Sequence, residues 1–456
     1  MPRRYHTVTD LAARFARSVA IAGLLCLHVA TAAADDKEFR PLFNGRDLTG
    51  WETVNCAPDT FTVQDGMIVC SGKPIGVMRT DRHYENFILE LEWKHLVPKG
   101  NAGLFVWSDP LPVTGKPFTR AIEVQILDGR NTENYTSHGD IFPIQGASMQ
   151  PDRPHPGGWD RCLPSEHRCN PAGEWNHYRV TCRDGDIKLE VNGKLVSGGH
   201  DSVPRKGYIC LESEGGIVHF RNIRIRELPG SDPSPEQTAD VDRNWRSLFD
   251  GLTLAGWKTH EGLEGRWSVH NELIHLAGDQ PARPSGQDLD LWTEESFEDF
   301  QLIVDWRLTG KPTTRAMNSF TADGLIRRDA NGNVVKHEIL DAGDSGIYLR
   351  GSRKAQVNIW CQPMGSGDIN AYHKDATLPE AIRRACMPRT HADNPPGQWN
   401  RFVITMRGSR VTVELNGETV IADAELPDVP ASGPIALQNH GDGIEFRNVY
   451  IRDLSE

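Results

Sequence analysis

One stretch of this sequence occurs twice, and the repetition limits what the chain can fold into. Residues Gly207–Leu228 read GYICLESEGGIVHFRNIRIREL, and residues Gly433–Leu454 read GPIALQNHGDGIEFRNVYIRDL. The two align without a gap and share the segment FRN, which is followed by an alternating strand pattern, an acidic residue and a leucine. Agreement over this length indicates a tandem repeat of one domain, so each half can be interpreted against the other.

The two copies also begin alike, with PLFNGRDLTGW from Pro41 and SLFDGLTLAGW from Ser247. We therefore predict one domain at residues 38–228, a second at 245–456, and a polar, proline-rich linker at 229–244. Short alternating segments recur between glycine turns in both copies, and only residues 378–385 have a convincing helical pattern. The sequence thus predicts an all-β fold of two antiparallel β-sandwiches in tandem.

One pair of matched strands carries polar residues on a single face. AIEVQILD in the first copy aligns with KAQVNIWC in the second, so Glu123 and Gln125 correspond to Gln356 and Asn358. The period of two puts Glu123 and Gln125 on the same face of their strand. A long irregular segment follows in each copy, at 129–172 and 362–396, and such segments are typical of binding walls.

Residues 1–34 have the order of a secretory signal peptide, with arginines, a short apolar run and small residues before Asp35. A membrane anchor is the alternative, but the run is short for a span of roughly 20 residues. We expect an exported protein, periplasmic or extracellular, with no transmembrane segment after signal removal. The cysteines that remain would meet oxidising conditions, so Cys162–Cys169 and Cys361–Cys386 are candidate disulfides, with buried thiols as the alternative.

The overall charge argues against one class of partner. The chain has 50 Lys and Arg against 62 Asp and Glu, a net charge of -12. Proteins that bind nucleic acids normally present a basic face, so no nucleic-acid partner is expected.

Each copy resembles the 3-keto-disaccharide hydrolase domain family, and the resemblance covers nearly the whole chain beyond the leader. The residues that carry it are LF-[ND]-G…GW, the strands from Asn101 and Asp344, EVQILD, PAGEWN and PPGQWN, the Asn-Gly turn, and the closing FRN segment. The resemblance implies a concanavalin-like jelly roll of two antiparallel sheets. It also implies a carbohydrate substrate, namely a glycoside whose sugar is oxidised at carbon 3.

A 3-keto group acidifies the hydrogen on carbon 2, so a base can start an elimination that expels the glycosidic oxygen from carbon 1. Addition of water then completes a net hydrolysis. This route needs a general base, an acid for the leaving group and an electrophile for the enolate. A divalent metal held by carboxylates and imidazoles would serve as that electrophile, although the sequence identifies no metal ligands.

Candidate residues occur in both copies, and the sequence does not decide which copy is catalytic. The predicted catalytic residues are Glu92, Glu123, His138, Glu214, Asp344 and His440. The predicted substrate contacts are Asn101, Trp107, Gln125, Asp128, Arg350, Gln356, Asn358 and His373. Because the neutral amide of Gln356 replaces the carboxyl group of Glu123 in the second copy, that copy would need a base from elsewhere, such as Asp344 with His440 and His373.

Two other functions fit the same fold. A non-catalytic, lectin-like carbohydrate-binding module would use the same face without any base. A retaining or inverting glycosidase would need two carboxyl groups about 5 to 9 Å apart. Glu92 and Glu123 are the candidates for that pair, if their strands are neighbours.

Overall fold

The computed structural model describes residues 38–128, 138–278 and 287–454. The predicted signal peptide lies outside these residues. Within them, no helix has the length and apolar character needed to cross a membrane.

The first domain is a sandwich of two antiparallel sheets. The larger sheet has the order β10-β13-β12-β11-β6-β15-β4-β3, with β1 paired to β15, and the smaller has the order β2-β5-β14-β7-β8-β9. In chain order the strands are β1 (Arg40–Pro41), β2 (Trp51–Val54), β3 (Phe61–Gln64), β4 (Met67–Cys70), β5 (Gly76–Thr80), β6 (Phe87–His95), β7 (Gly103–Ser108), β8 (Ala121–Gln125), β9 (Ile141–Ile144), β10 (Ser148–Pro151), β11 (Asn176–Arg183), β12 (Asp186–Val191), β13 (Lys194–Val203), β14 (Tyr208–Ser213) and β15 (Val218–Glu227).

The second domain repeats this plan. Its larger sheet has the order β17-β18-β29-β20-β25-β26-β27, with β16 on β29; its smaller sheet is β19-β28-β23-β24, and β21 and β22 form a separate hairpin. The strands are β16 (Arg246–Ser247), β17 (Trp267–His270), β18 (Leu273–Leu276), β19 (Leu291–Trp292), β20 (Phe300–Leu308), β21 (Thr313–Asn318), β22 (Lys336–Asp341), β23 (Ser345–Leu349), β24 (Ser352–Ile359), β25 (Asn400–Arg407), β26 (Arg410–Leu415), β27 (Glu418–Glu425), β28 (Ala436–Leu437) and β29 (Ile444–Asp453).

Helices are rare in the described residues. The α-helices α1 (Asn370–His373) and α2 (Glu380–Ala385) lie in the irregular segment after β24, where the sequence predicts a helix at 378–385. Alternation along each strand sends one set of apolar side chains into the sandwich core, such as Leu89 and Leu91 on β6 and Leu302 and Val304 on β20. The predicted tandem pair of β-sandwiches is confirmed.

The two domains pack on each other through faces that are not equivalent. The outer face of the first domain's smaller sheet, including Phe105 and Cys210, contacts Ile303 and Tyr450 on the outer face of the second domain's larger sheet. Burial of these apolar side chains in a shared cluster holds the domains together.

A buried carboxylate joins the domains next to this cluster. Asp305 is fully buried and bonds Arg401 at 2.6 and 2.9 Å, and it also accepts the N–H of Gly115 from the first domain at 2.8 Å. Asn448 donates to Asp305 at 2.6 Å and to the carbonyl of Lys116 at 3.0 Å. The buried charge is therefore paired on both sides of the domain boundary, as burial requires.

The predicted disulfides are not formed, because all eight cysteines of the described residues are free thiols. The Sγ of Cys162 accepts the N–H of Gly198 at 3.5 Å, and that of Cys361 accepts the N–H of Ala342 at 3.4 Å. Burial raises the pKa of Cys386 to about 12. The thiol alternative is therefore the correct one, with Cys162 and Cys386 buried and Cys169 and Cys361 partly buried.

Candidate active sites on two equivalent sheet faces

Equivalent strands of the two smaller sheets carry the candidate residues. Phe105 pairs with Glu123 between β7 and β8, and Tyr348 pairs with Gln356 between β23 and β24. This shared register confirms the alignment of the repeats at the level of single residues. The outer faces of the two sheets can therefore be compared position by position.

In the first domain, two buried glutamates converge on a glycine. A methyl group placed on Gly103 would lie 2.8 Å from Oε2 of Glu212 and 3.0 Å from Oε1 of Glu123. The absence of a side chain at Gly103 thus leaves room for both carboxyl groups. Within the described residues, Oε2 of Glu212 has no hydrogen-bond partner.

A chain of amides extends from this pair toward the end of the sheet. Gln125 donates to Oδ1 of Asn101 at 2.8 Å, and Asn101 donates to the carboxyl group of Glu214. The sequence-predicted residues Glu123, Gln125, Asn101 and Glu214 are therefore brought together on one face.

Burial makes this cluster hold protons at neutral pH. Desolvation, followed by the charge of Glu214, raises the pKa of Glu123 to about 8. Desolvation and the neighbouring glutamates raise the pKa of Glu212 well above its usual range, and desolvation raises the pKa of Glu214. Carboxyl groups this close cannot all ionise, so part of the cluster stays protonated at neutral pH.

Asp140 and Arg161 form an ion pair beside the cluster. Their Oδ2 and Nη1 atoms are 2.9 Å apart, and the guanidinium lies 3.7 Å from the ring centroid of Phe142. Burial raises the pKa of Asp140 to about 6, although Arg161 acts to lower it. Arg161 also lowers the pKa of Glu123, against the stronger effect of burial.

In the second domain the corresponding positions form an amide network. Gln356 donates to Oε1 of Gln438 at 2.7 Å and to Oδ1 of Asn358 at 3.1 Å. Gln438 in turn donates to the hydroxyl of Tyr348 at 2.8 Å. This network is neutral, so it can bind sugar hydroxyls but cannot remove a proton.

A titratable pair lies at one end of this network. Oδ2 of Asp344 is 4.0 Å from Nε2 of His440, whose Nδ1 is 3.7 Å from Oδ2 of Asp442. The N–H of Asp344 donates to Asp442 at 3.0 Å, which fixes the two loops relative to each other. The side chains of Asp344 and His440 are 28% and 51% exposed, so a ligand on this face can reach both.

The environment raises the pKa of both members of the pair. Desolvation raises the pKa of Asp344 to about 7, although the charge of His440 acts to lower it. The carboxylates of Asp442 and Asp344 raise the pKa of His440 above its ordinary value, against desolvation. A base and an acid with pKa values near the operating pH are what proton-transfer catalysis requires.

A second buried pair supports the same end of the face. Nε2 of His373 is 2.9 Å from Oδ2 of Asp368, and its Nδ1 donates to the carbonyl of Gly324 at 2.9 Å. Both side chains are fully buried, so His373 is not placed to touch a substrate and that prediction is corrected. The next residue, Lys374, holds its ammonium 5.4 Å from the ring centroid of Trp360. Burial lowers the pKa of Lys374, against the charges of Asp368 and Asp344.

The predictions for Trp107 and Arg350 as substrate contacts are wrong. Both residues follow the alignment and both adopt left-handed backbone angles, with φ of 55° and 49°. Each is buried and donates to an equivalent loop carbonyl, Trp107 to Glu85 at 2.7 Å and Arg350 to Glu298 at 2.6 Å. They brace the same turn in each domain.

Glu92 and His138 are also placed away from Glu123. Glu92 lies on the outer face of the larger sheet, where it bonds Arg221 at 2.6 Å, so it cannot form a glycosidase carboxyl pair with Glu123 across a cleft. His138 stacks on Trp93 of the core, with ring centroids 4.6 Å apart. Asp128 accepts the N–H of Lys99 at 3.1 Å, just beyond β8.

Sequence reasoning did not identify Glu212, Gln438, Asp368 and Lys374. The sequence contains a signal for the first two. Glu212 and Glu214 are two residues apart in one alternating strand and therefore share a face, and Gln438 is the residue that aligns with Glu212 in the second copy. Asp368 and Lys374 lie in the irregular segment after β24, where no periodicity predicts the direction of a side chain.

The described residues contain no group of three or more His, Cys, Asp or Glu side chains arranged to hold a metal ion. The donor set of these residues therefore does not fit the metal that the chemistry suggests.

Comparison with known proteins supplies the family. The sequence model of one protein family, the 3-keto-alpha-glucoside-1,2-lyase-like domain, matches residues 38–226 and again residues 244–452. The chain belongs to this family. It carries the lyase-like domain twice, and the predicted resemblance and the predicted enzyme class are confirmed.

Individual relatives of the lyase-like domains are distant. A protein of Bacteroides thetaiotaomicron named 3-keto-disaccharide hydrolase is 22% identical over 270 residues, which are 49% of this chain and 88% of that protein. A solved structure from Parabacteroides distasonis, provisionally named a glycosyl hydrolase, is 23% identical with a TM-score of 0.34, and the match covers 43% of this chain and 96% of that one. A β-glucanase of Bacillus licheniformis is 15% identical with a TM-score of 0.28, covering 42% of this chain and 97% of that one.

Proposed function

We propose that this protein cleaves glycosides whose sugar is oxidised at carbon 3, by elimination across carbons 1 and 2 followed by hydration. Family membership and the name of the Bacteroides relative support this substrate class. The observation that carries the proposal is the accessible pair of Asp344 and His440 on the polar face of the second domain. We also propose that the protein acts outside the cytoplasm, after removal of residues 1–34.

In the first step the carboxylate of Asp344 takes the proton from carbon 2. The electron pair of that bond moves into the carbon 2–carbon 3 bond, and the ketone oxygen becomes an enolate. The enolate then collapses to restore the ketone, forms the carbon 1–carbon 2 double bond and expels the glycosidic oxygen. The imidazolium of His440 donates a proton to this leaving group.

In the second step water adds across the new double bond. The hydroxyl adds to carbon 1 and a proton returns to carbon 2, so the products are a 3-keto sugar and a free alcohol. Neutral His440 takes the proton of the attacking water, and protonated Asp344 returns its proton to carbon 2. The pair ends in its starting protonation state, which makes the cycle catalytic.

The surrounding residues supply binding and charge stabilisation. The ammonium of Lys374 is the cation that we assign to the enolate oxygen, because Lys374 follows the buried His373 that supports this end of the face, and opposite charge lowers the energy of the intermediate. Gln356 and Gln438, which are half-buried, present neutral amides to the sugar hydroxyls, and the buried Asn358 accepts a hydrogen bond that holds Gln356 in place.

The first domain is less suited to this role. Glu123 is only 6% exposed, and the pKa of about 8 keeps it protonated at neutral pH. The neighbouring positions Phe105 and Cys210 are covered by Ile303 and Tyr450 of the second domain. A base needs an ionised, accessible group, and Asp344 meets that requirement better than Glu123.

The test is release of the sugar from a 3-keto-disaccharide and from its unoxidised parent, by the wild-type protein, Asp344→Asn and Glu123→Gln. We expect the wild type to cleave the keto form alone, Asp344→Asn to lose about 100-fold or more in rate, and Glu123→Gln to lose little. A fall in the cleavage rate of Glu123→Gln but not of Asp344→Asn would show that the first domain carries out the reaction. Absence of wild-type cleavage, with or without added divalent metal, would overturn the proposal.

A further inference from the structure

An apolar pocket opens in the second domain at the end of the sandwich. Its volume is about 210 Å³, and its lining includes Trp306, Leu308, Leu340, Trp360, Cys361 and Pro396. His391 and Asp393, 3.4 Å apart, add polar groups to the lining. An apolar cavity of about 150 Å³ is enough to take up a benzene molecule, so this pocket has room for a six-membered ring with a substituent.

The first domain shows what such a pocket can hold, because there the equivalent place is filled by the protein itself. Trp93 occupies the position of Trp306, and the imidazole of His138 stacks on its indole at 4.6 Å with an interplanar angle of 29°. His95, at the position of Leu308, places a second ring 5.6 Å from the same indole. In the second domain leucine replaces that ring, and the place beside the indole is a pocket.

The pocket adjoins the proposed catalytic pair. Cys361 in its wall accepts the N–H of Ala342 at 3.4 Å, and Asp344 follows two residues later. Burial, and beyond it the charges of Asp341, Asp393 and Asp344, raise the pKa of the Cys361 thiol. On another side, Trp360 lies 5.4 Å from the ammonium of Lys374.

We propose that this pocket binds the leaving group of the substrate, and that the leaving group is a planar, apolar ring such as that of an aromatic alcohol. The assignment of the leaving group rests on the proposed function, whereas binding of the ring does not. A ring seated against Trp306 would point the glycosidic oxygen toward Asp344 and His440. Burial of the ring from water would supply the affinity.

The kinetic test compares phenyl and methyl 3-keto-α-glucosides in the wild-type protein and in Leu340→Trp. Leu340 is 57% exposed and lines the pocket, so a larger side chain can enter the pocket without disturbing the core. Phenol is the better leaving group in any case, so the test is the change in preference: we expect Leu340→Trp to lower the kcat/KM preference for the phenyl compound about tenfold or more, while the methyl compound is cleaved as before. The matched control, Leu252→Trp, places the same side chain at another exposed leucine and is expected to change neither.

Binding is measured separately, so that failure of the chemistry does not hide the result. Phenyl α-glucoside, which lacks the ketone, is titrated into the wild type, Asp344→Asn, Leu340→Trp and Leu252→Trp, and ligand-observed NMR detects the ring. Binding to all but Leu340→Trp supports the pocket even if no variant cleaves any substrate. Equal binding to Leu340→Trp, or an unchanged preference for phenyl over methyl in that variant, would overturn the inference.

Discussion

Gln356 donates a hydrogen bond to Gln438 at 2.7 Å in the second domain, at the positions that Glu123 and Glu212 occupy in the first. The same backbone geometry therefore carries a neutral amide pair in one copy and a pair of buried carboxyl groups in the other. The amide pair is satisfied at every pH. The carboxyl pair is favourable only while it holds protons, because burial disfavours the charged forms.

This contrast predicts that the stability of the folded protein falls with rising pH, and that replacing the carboxyl pair by amides reduces this fall. The pKa of Glu123 in the folded protein, about 8, lies above its ordinary value of 4.5, so folding favours the protonated form. The stabilisation is complete below pH 4.5 and is lost as pH rises toward 8, at no more than about 1.4 kcal/mol per pH unit for one group. We expect Glu123→Gln with Glu212→Gln to flatten the fall in melting temperature between pH 5 and 8.

The reciprocal variant is the control for this prediction. Gln356→Glu with Gln438→Glu builds the carboxyl pair into the second domain, and its melting temperature should fall more steeply over the same pH range. If neither double variant changes the slope of melting temperature against pH, the pair does not set the pH dependence.

The rate should depend on pH through Asp344 and His440. Asp344 acts as a carboxylate, and its pKa is about 7, so kcat/KM should rise as pH increases through 7. His440 acts as imidazolium, so the rate should fall as pH increases through the pKa of His440, which is raised above its ordinary value. We expect a bell-shaped profile that loses its alkaline fall in His440→Gln, measured with a 3-keto-disaccharide. A profile in His440→Gln that keeps both limbs would contradict the assignment.

Lys374 should matter for the rate more than for binding. If its ammonium stabilises the enolate, Lys374→Gln removes an interaction that is stronger in the transition state than in the ground state. We expect kcat to fall about 100-fold with little change in KM. Lys336→Gln, at an exposed lysine on β22, serves as the control. A rise in KM at constant kcat would make Lys374 a substrate-binding residue instead.

The repeat allowed much of this arrangement to be predicted. Aligning the copies identified the strands, the sandwich and the face that carries Glu123 and Gln125, because alternation with a period of two fixes which residues share a face. It could not show which strands are neighbours in space. The sequence therefore leaves Glu92 as a candidate neighbour of Glu123, although β6 and β8 belong to different sheets.

The sequence does not predict the positions of some other side chains, because side-chain direction at strand ends depends on local backbone geometry. Trp107 and Arg350 leave their strands in a left-handed conformation that turns each side chain into the protein, and no periodicity predicts such a turn. His373 has the residue type of a catalytic group but is buried against Asp368. Direction in an irregular segment is set by tertiary packing, which a single sequence does not reveal.

The contact between the domains offers a further test, because the outer face of the larger sheet is apolar in the second domain and charged in the first. Ile303 and Tyr450 contact the first domain, whereas the equivalent positions of the first domain are Glu90 and Arg224, which bond each other at 2.7 Å. The first domain's own outer face is therefore charged and is not suited to receive another apolar surface. This difference explains why the smaller sheet of the first domain packs on the larger sheet of the second domain, while the larger sheet of the first domain receives no such partner within the described residues.

Ile303→Glu should separate the domains. The change puts the residue of the first domain into the apolar cluster, where an unpaired carboxylate costs several kcal/mol, and we expect about 2–5 kcal/mol of destabilisation. In calorimetry the variant should show two transitions, or one at clearly lower temperature. Thr419→Glu, at an exposed position of the same sheet, should leave the transition unchanged. Asp344 and His440 lie in loops next to β23 and β28 of the other sheet of the second domain, so Ile303→Glu should still cleave substrate below its melting temperature. Loss of activity in a folded variant would mean that the packing of the domains shapes the site.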